Sequence, residues 1–130
     1  MPQEKVRVAF VGGGRSAMPL LQDFLKRPFI SIVGLADVDP SSPGALLAKG
    51  RGLFYTTDAL DFAPKGDEID VLIELSGDER VKRRLKNAFV AEGNRHTIIV
   101  HDLVARMMLS MSQDSTELMH TYHPSDDGVG

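Results

Sequence analysis

The stretch Val6-Arg7-Val8-Ala9-Phe10-Val11-Gly12-Gly13-Gly14-Arg15-Ser16-Ala17 decides the fold. Its first six residues form an apolar run broken only by Arg7, and the run ends at three glycines. A short, nearly continuous apolar run of this kind reads as a strand covered on both faces, as in parallel sheets. Beyond it, Leu20, Leu21, Phe24 and Leu25 fall at helical spacing, while Gln22, Asp23, Lys26 and Arg27 face water. Ser16 stands where a helix cap would, Pro19 sits in the first turn, and Pro28 discourages continuation past Arg27.

Strands and helices alternate from there on. A second strand is expected over 29–36, closing on Asp37. The turn-forming segment Asp39-Pro40-Ser41-Ser42-Pro43-Gly44 leads into a short helix over 45–49. A third strand is expected over 53–56, then a brief helical stretch capped by Asp58 and ending at Pro64. The run 70–75 makes a fourth strand, 78–92 a helix stopped by Gly93, and 97–100 a fifth strand. This alternation predicts an α/β protein, a Rossmann-like doubly wound parallel sheet with right-handed crossovers. The strand order 3-2-1-4-5 follows if the glycine turn is a dinucleotide site. The expected organisation is a Rossmann domain over 1–101, a C-terminal helix over 102–122 and a flexible tail over 123–130.

Gly12-x-Gly14-x-x-Ala17 matches the dinucleotide pattern G-x-G-x-x-G/A. Gly12 lets the chain turn sharply off the strand. Gly14 leaves no side chain between backbone and pyrophosphate, and Ala17 lets the helix pack close to the strand. N–H groups at the helix start, around Arg15 to Met18, would donate to phosphate oxygens. Arg15 could add a charge-assisted contact there. Asp37, at the end of the second strand and 25 residues after Gly12, is the acid expected on the adenosine ribose. A carboxylate accepts from the 2′-OH and repels a 2′-phosphate, which favours NAD over NADP. Asp39 is the rival acid, although Asp39-Pro40 reads better as a turn.

Composition narrows the alternatives. The chain has 130 residues, enough for one domain, with 42% hydrophobic and 25% charged residues and a net charge of -3. No basic excess points to nucleic acid. There is no cysteine, which excludes disulfides and thiolate catalysis. No apolar run reaches the roughly 18 residues needed to cross a bilayer, and the N-terminus lacks the apolar core of a secretory signal. A cytoplasmic protein without a membrane partner is the expectation.

Other charged residues offer weaker chemistry. His101 and Asp102 follow the fifth strand, on the ligand-binding edge of the sheet, and are the weak catalytic candidates. Their plain reading is a strand end followed by a helix cap at Asp102. His120 and His123, with Asp126 and Asp127, hint at metal ligation, but a frayed tail is the better account and no metal site is expected. Glu74 lies in an apolar strand and would either line the cleft or turn outward to pair with a helix-borne cation. Arg80, Lys82, Arg83, Arg84 and Lys86 read as a solvated helix face. From Asp102 to Tyr122, Val104, Met108, Met111, Leu118 and Tyr122 form an a/d-like stripe. A helix of that length exceeds what the sheet needs, and the excess offers a contact to a second copy or to a downstream domain. The turn-rich ending 124–130 has the character of a linker, so a longer protein is expected.

The segments 6–14, Val33-Gly34-Leu35-Ala36-Asp37-Val38-Asp39-Pro40 and Asp70-Val71-Leu72-Ile73-Glu74 resemble the N-terminal half of glucose–fructose oxidoreductase/inositol dehydrogenase-type enzymes. Homoserine and aspartate dehydrogenases are similar. The resemblance covers about 5–101. It implies NAD(P) binding by Gly12, Gly14, Arg15, Ser16 and Asp37, with Ser76-Gly77 along the cofactor towards its nicotinamide end. Gly13 and Ala17 complete the turn. The sugar oxidoreductases carry a Glu-Lys-Pro motif after the fifth strand, where this chain reads Val100-His101-Asp102-Leu103. The family's large substrate domain does not fit in the 30 residues after the fifth strand.

Three functions fit. The first is a non-catalytic, NAD-sensing or regulatory module of a larger protein. The second is the cofactor-binding portion of an NAD(P)-dependent oxidoreductase. The third is a Rossmann-shaped interaction domain without a ligand. No complete catalytic constellation is present to make the chain an enzyme by itself.

Overall fold

The strand read from the opening stretch, β1 (Val6–Val11), lies at the centre of a five-stranded, all-parallel sheet of order β3-β2-β1-β4-β5. The structure, a computed structural model, describes residues 4–76 and 78–119. The remaining strands are β2 (Ile30–Ala36), β3 (Phe54–Thr56), β4 (Val71–Glu74) and β5 (Ile98–Ile99). Between them come α1 (Met18–Leu25), α2 (Pro43–Gly50), a 3-10 segment Ala59–Glu68 and α3 (Glu79–Ala91), and α4 (Asp102–Ser112) follows β5. The strand order is the one the dinucleotide reading requires.

β1 is apolar at successive positions because both of its faces are covered. Val8 and Phe10 pack with Leu20 and Leu21 of α1 and with Ala105 and Leu109 of α4. Ala9 and Val11 point the other way, into a second cluster with Phe62, Leu85 and Phe89. Phe10, Leu35, Leu72 and Ile73 are all at most 1% exposed. Burying each such side chain contributes about 1.5–3 kcal/mol.

Arg7, the one polar residue in that run, works at the opposite edge of the sheet from the glycine turn. Its N–H donates to Asp70 Oδ2 at 2.8 Å and its guanidinium to Asp70 Oδ1 at 2.9 Å. His96 Nε2 lies 2.5 Å from the same Oδ1. The cluster ties the beginnings of β1 and β4 to the loop before β5. Hydrogen bonds from Arg7 and then His96 hold the Asp70 carboxyl well below the usual carboxylate range.

Several sequence expectations are corrected. Ser16 does not cap α1: the cap position is Ala17, with no side-chain hydrogen bond. The segment after Asp58 runs past Pro64 to Glu68, kinked at Gly66, because 3-10 geometry tolerates what a regular α-helix would not. The helix expected over 102–122 ends at Ser112. The Asp114 backbone turns left-handed (φ 53°), and the chain folds back along α4. There Arg106 Nε donates to Met119 O at 2.7 Å and Met119 N to Ser110 Oγ at 3.0 Å. The a/d-like stripe therefore breaks after Met111, and Met119 packs on the same core as α4. Tyr122, His120, His123 and the tail expected over 123–130 lie outside the described residues. Among the described residues, no helix is long and apolar enough to cross a membrane.

Candidate nucleotide site

The carboxyl ends of β1, β2 and β4 open into a cleft of about 370 Å³. Its floor is Val11, Gly12 and Ala36; one wall is the segment 57–60, and the other carries Leu75, Ser76, Val81 and Arg84. This is the edge of a doubly wound sheet at which ligands bind.

The three glycines have three distinct environments. Gly12 has φ +94°, and a Cβ there would stand 2.7 Å from Leu75 C and from Ser76 N, so only glycine fits. Gly13 is pressed against the start of α2: its carbonyl accepts from Gly44 N at 2.7 Å, and a Cβ on Gly44 would lie 2.6 Å from Gly13 Cα. Over Gly14 there is nothing within 4 Å of an added Cβ. The position assigned to close phosphate approach is the open one.

Backbone donors are distributed to match. Gly12 N donates to Ala36 O at 2.7 Å and Gly13 N to Asp37 Oδ2 at 2.7 Å. Ala17 N donates to Gly14 O at 3.1 Å and Met18 N to Arg15 O at 3.3 Å. Gly14, Arg15 and Ser16 N–H groups have no hydrogen-bond partner among the described residues. Of the expected donors, Arg15 to Met18, the Ala17 and Met18 N–H groups are thus already engaged within the turn. Ser16 lines the cleft and Ala17 is buried at the foot of α1, whereas the exposed Arg15 side chain lies outside the cleft lining.

Asp37 lines the cleft with both carboxylate oxygens engaged, Oδ2 by Gly13 N–H and Oδ1 by Asp39 N–H at 2.8 Å. Tyr55 Oη donates to the Asp37 carbonyl at 2.8 Å. Burial, and then the carboxylates of Asp37 and Asp39, push the Tyr55 hydroxyl above its ordinary value and keep it a donor. Asp39 caps its own turn through Ser41 N, as the turn reading expects. Asp58, missed as a cleft residue, adds a second carboxylate on this side while accepting from Leu60 N at 3.0 Å.

Glu74 does not turn outward. It is 2% exposed, and its Oε1 accepts from Ser76 N at 2.7 Å and from the Ser76 hydroxyl, which shapes the turn after β4. Ser76 lines the cleft next to Gly12; Gly77 lies outside the described residues. The basic residues of α3 are not one solvated face. Lys82 is buried, with Nζ donating to Val100 O at 2.9 Å, and Arg84 lines the cleft. Val81 and Arg84 stand one helical turn apart, the spacing that would have placed Arg84 beside the cleft. The helix cap after β5 is His101, whose Nδ1 accepts from Leu103 N at 3.0 Å, while Asp102 is already inside α4 and 8% exposed. Neither lines the cleft.

No family model and no curated protein matches the sequence. Solved structures share the fold. Apo scyllo-inositol dehydrogenase from Lactobacillus casei superposes with a TM-score of 0.55 at 17% identity, over 88% of this chain and 34% of that one. An oxidoreductase from Agrobacterium radiobacter in complex with NAD+, L-tartaric acid and magnesium gives 0.56 at 16% identity, over 85% and 32%. Homoserine dehydrogenase from S. aureus gives 0.56 at 14% identity, over 87% and 31%. The chain has the Rossmann-type fold of these dehydrogenases, and it spans about a third of their length.

Proposed function

We propose that the chain binds an NAD-type dinucleotide at the cleft, as a non-catalytic sensing or regulatory module. The observation that carries this is the open surface over Gly14, where Gly14, Arg15 and Ser16 N–H groups stand at the start of α1. Such a helix start takes a pyrophosphate, and Asp37 beside it takes the ribose hydroxyls. Asp37 and Asp58 oppose a 2′-phosphate, so NAD is preferred to NADP. Two solved structures of the same fold, the Lactobacillus casei enzyme with NAD(H) and scyllo-inositol and the Agrobacterium radiobacter oxidoreductase with NAD+, support a dinucleotide ligand. The non-catalytic reading rests on His101, which serves as a helix cap away from the cleft lining.

A second reading is the cofactor-binding portion of an oxidoreductase, favoured by the chain spanning about a third of its structural neighbours. Both readings share one test. Calorimetric titration should show binding of NAD+ and NADH, weaker binding of NADP+, and loss of binding in a folded Gly14→Val variant. Absence of binding at millimolar nucleotide would remove both readings. A preference for NADP+ would remove the role given to Asp37.

A further inference from the structure

The two sides of the sheet edge are built differently. On the β2 side the strand ends are open: the cleft reaches Asp37, Val38 and the segment 57–60. On the β5 side the strand end is closed by the protein itself. The Val100 carbonyl, at the end of β5, accepts from Lys82 Nζ at 2.9 Å. Lys82 is 4% exposed, Val100 8% and Asp102 8%. The His101 ring is turned to the α4 backbone as its cap. Among the described residues, none lining the cleft comes from β5 or α4.

In a doubly wound sheet the β1-β2-β3 half holds one mononucleotide and the other half holds the second, with the pyrophosphate between them at the glycine turn. Here the cleft runs along the ends of β1 and β2 and the segment 57–60, and the other half meets it through Leu75, Ser76, Val81 and Arg84 among the described residues. The cleft volume, about 370 Å³, is at the small end of the roughly 300–1,000 Å³ typical of small-molecule sites. Arg84 is the one basic side chain on its lining among the described residues, which also carries the carboxylates of Asp37 and Asp58.

We infer that the cleft recognises an adenosine 5′-diphosphate moiety as such, whatever is attached to its terminal phosphate, with Arg84 as the cationic wall. This rests on the dinucleotide reading and deepens it: NAD is held by its ADP half, and the nicotinamide ring stays outside the protein's contacts. Oxidised and reduced nicotinamide are then bound alike, and ADP-ribose competes with both.

The test is a calorimetric titration of the full chain with NAD+, NADH, ADP-ribose, ADP and nicotinamide mononucleotide. Dissociation constants within about threefold of one another for NAD+, NADH and ADP-ribose, with no binding of nicotinamide mononucleotide, are expected. Arg84→Ala, checked for folding by circular dichroism, should weaken NAD+ and ADP-ribose by the same factor, about tenfold. NAD+ binding more than thirtyfold tighter than ADP-ribose would overturn the inference and leave the dinucleotide reading standing. Unchanged affinities in Arg84→Ala would overturn the role of Arg84. No binding of either NAD+ or ADP-ribose would overturn the dinucleotide reading itself.

Discussion

The Gly13 N–H donates to Asp37 Oδ2 at 2.7 Å, so the turn at the end of β1 and the acid at the end of β2 form one unit. The other oxygen, Oδ1, accepts from Asp39 N at 2.8 Å. The carboxylate thus holds the glycine turn before any ligand arrives, and it presents its remaining lone pairs to the cleft. Preorganisation of this kind lowers the ordering cost of binding.

Asp37→Ala therefore removes two things together. Gly13 is buried, and its N–H would be left without an acceptor, which costs about 1–3 kcal/mol of stability. Nucleotide affinity should fall in the same variant. Asp37→Asn keeps one oxygen and should lose less stability. Urea unfolding followed by calorimetry measures both effects; an Asp37→Ala protein as stable as the parent would show that the turn does not depend on this bond.

Gly44→Ala and Gly14→Ala should separate packing from binding. A Cβ on Gly44 stands 2.6 Å from Gly13 Cα and 2.9 Å from Gly13 O, both backbone atoms that cannot swing aside. The forced shift should cost about 1–3 kcal/mol and disturb the turn. At Gly14 the added methyl meets nothing within 4 Å, so thermal stability should stay close to that of the parent while nucleotide affinity drops. Equal melting temperatures for the two variants would contradict this division.

The contrast between these glycines shows what was legible in the sequence. The period of the apolar residues and the glycine spacing were enough for the sheet, its order, the sharp turn at Gly12 and the placing of Gly14 and Asp37 at the carboxyl edge, because strand ends and tight turns are local backbone features. Gly13 against Gly44, Arg84 and Asp58 on the cleft, and the burial of Lys82 were not legible. Each depends on where a distant element docks: α2 against the turn, or α3 against the ends of β4 and β5. The last helix is shorter than its periodicity predicts for a related reason. Val104, Met108 and Met111 keep the helical period, but Met119 reaches the same core by folding back after a left-handed residue, which periodicity does not register.

The Arg7–Asp70–His96 cluster gives stability a defined acid limb. The folded-state pKa of Asp70 is depressed by hydrogen bonds from Arg7 and His96. Its contribution is fully present above the unfolded value, about 3.9, and is lost as pH falls below that toward the folded value. Asp70→Asn should lower stability at pH 5, and the gap to the parent should narrow below about pH 4. Urea midpoints taken from pH 7 down to pH 2 check the sign; a gap that widens on acidification would be inconsistent with this assignment.

The end of α4 is fixed by backbone conformation at Asp114, where φ is 53°. Its N–H donates to Met111 O at 3.1 Å, and Ser115 N donates to Ser110 O at 2.9 Å, so the last turn of the helix is closed by a residue in the left-handed region. Aspartate tolerates that region better than alanine does, and glycine occupies it without a Cβ penalty. Asp114→Ala should therefore cost about 1 kcal/mol, while Asp114→Gly should leave stability unchanged or slightly raised. Both variants lose the same carboxylate, so the difference between their melting temperatures isolates the backbone term. If alanine and glycine lost stability equally, the carboxylate rather than φ would be ending the helix. The return of Met119 to Ser110 and Arg106 would then have to be secured by side-chain contacts alone.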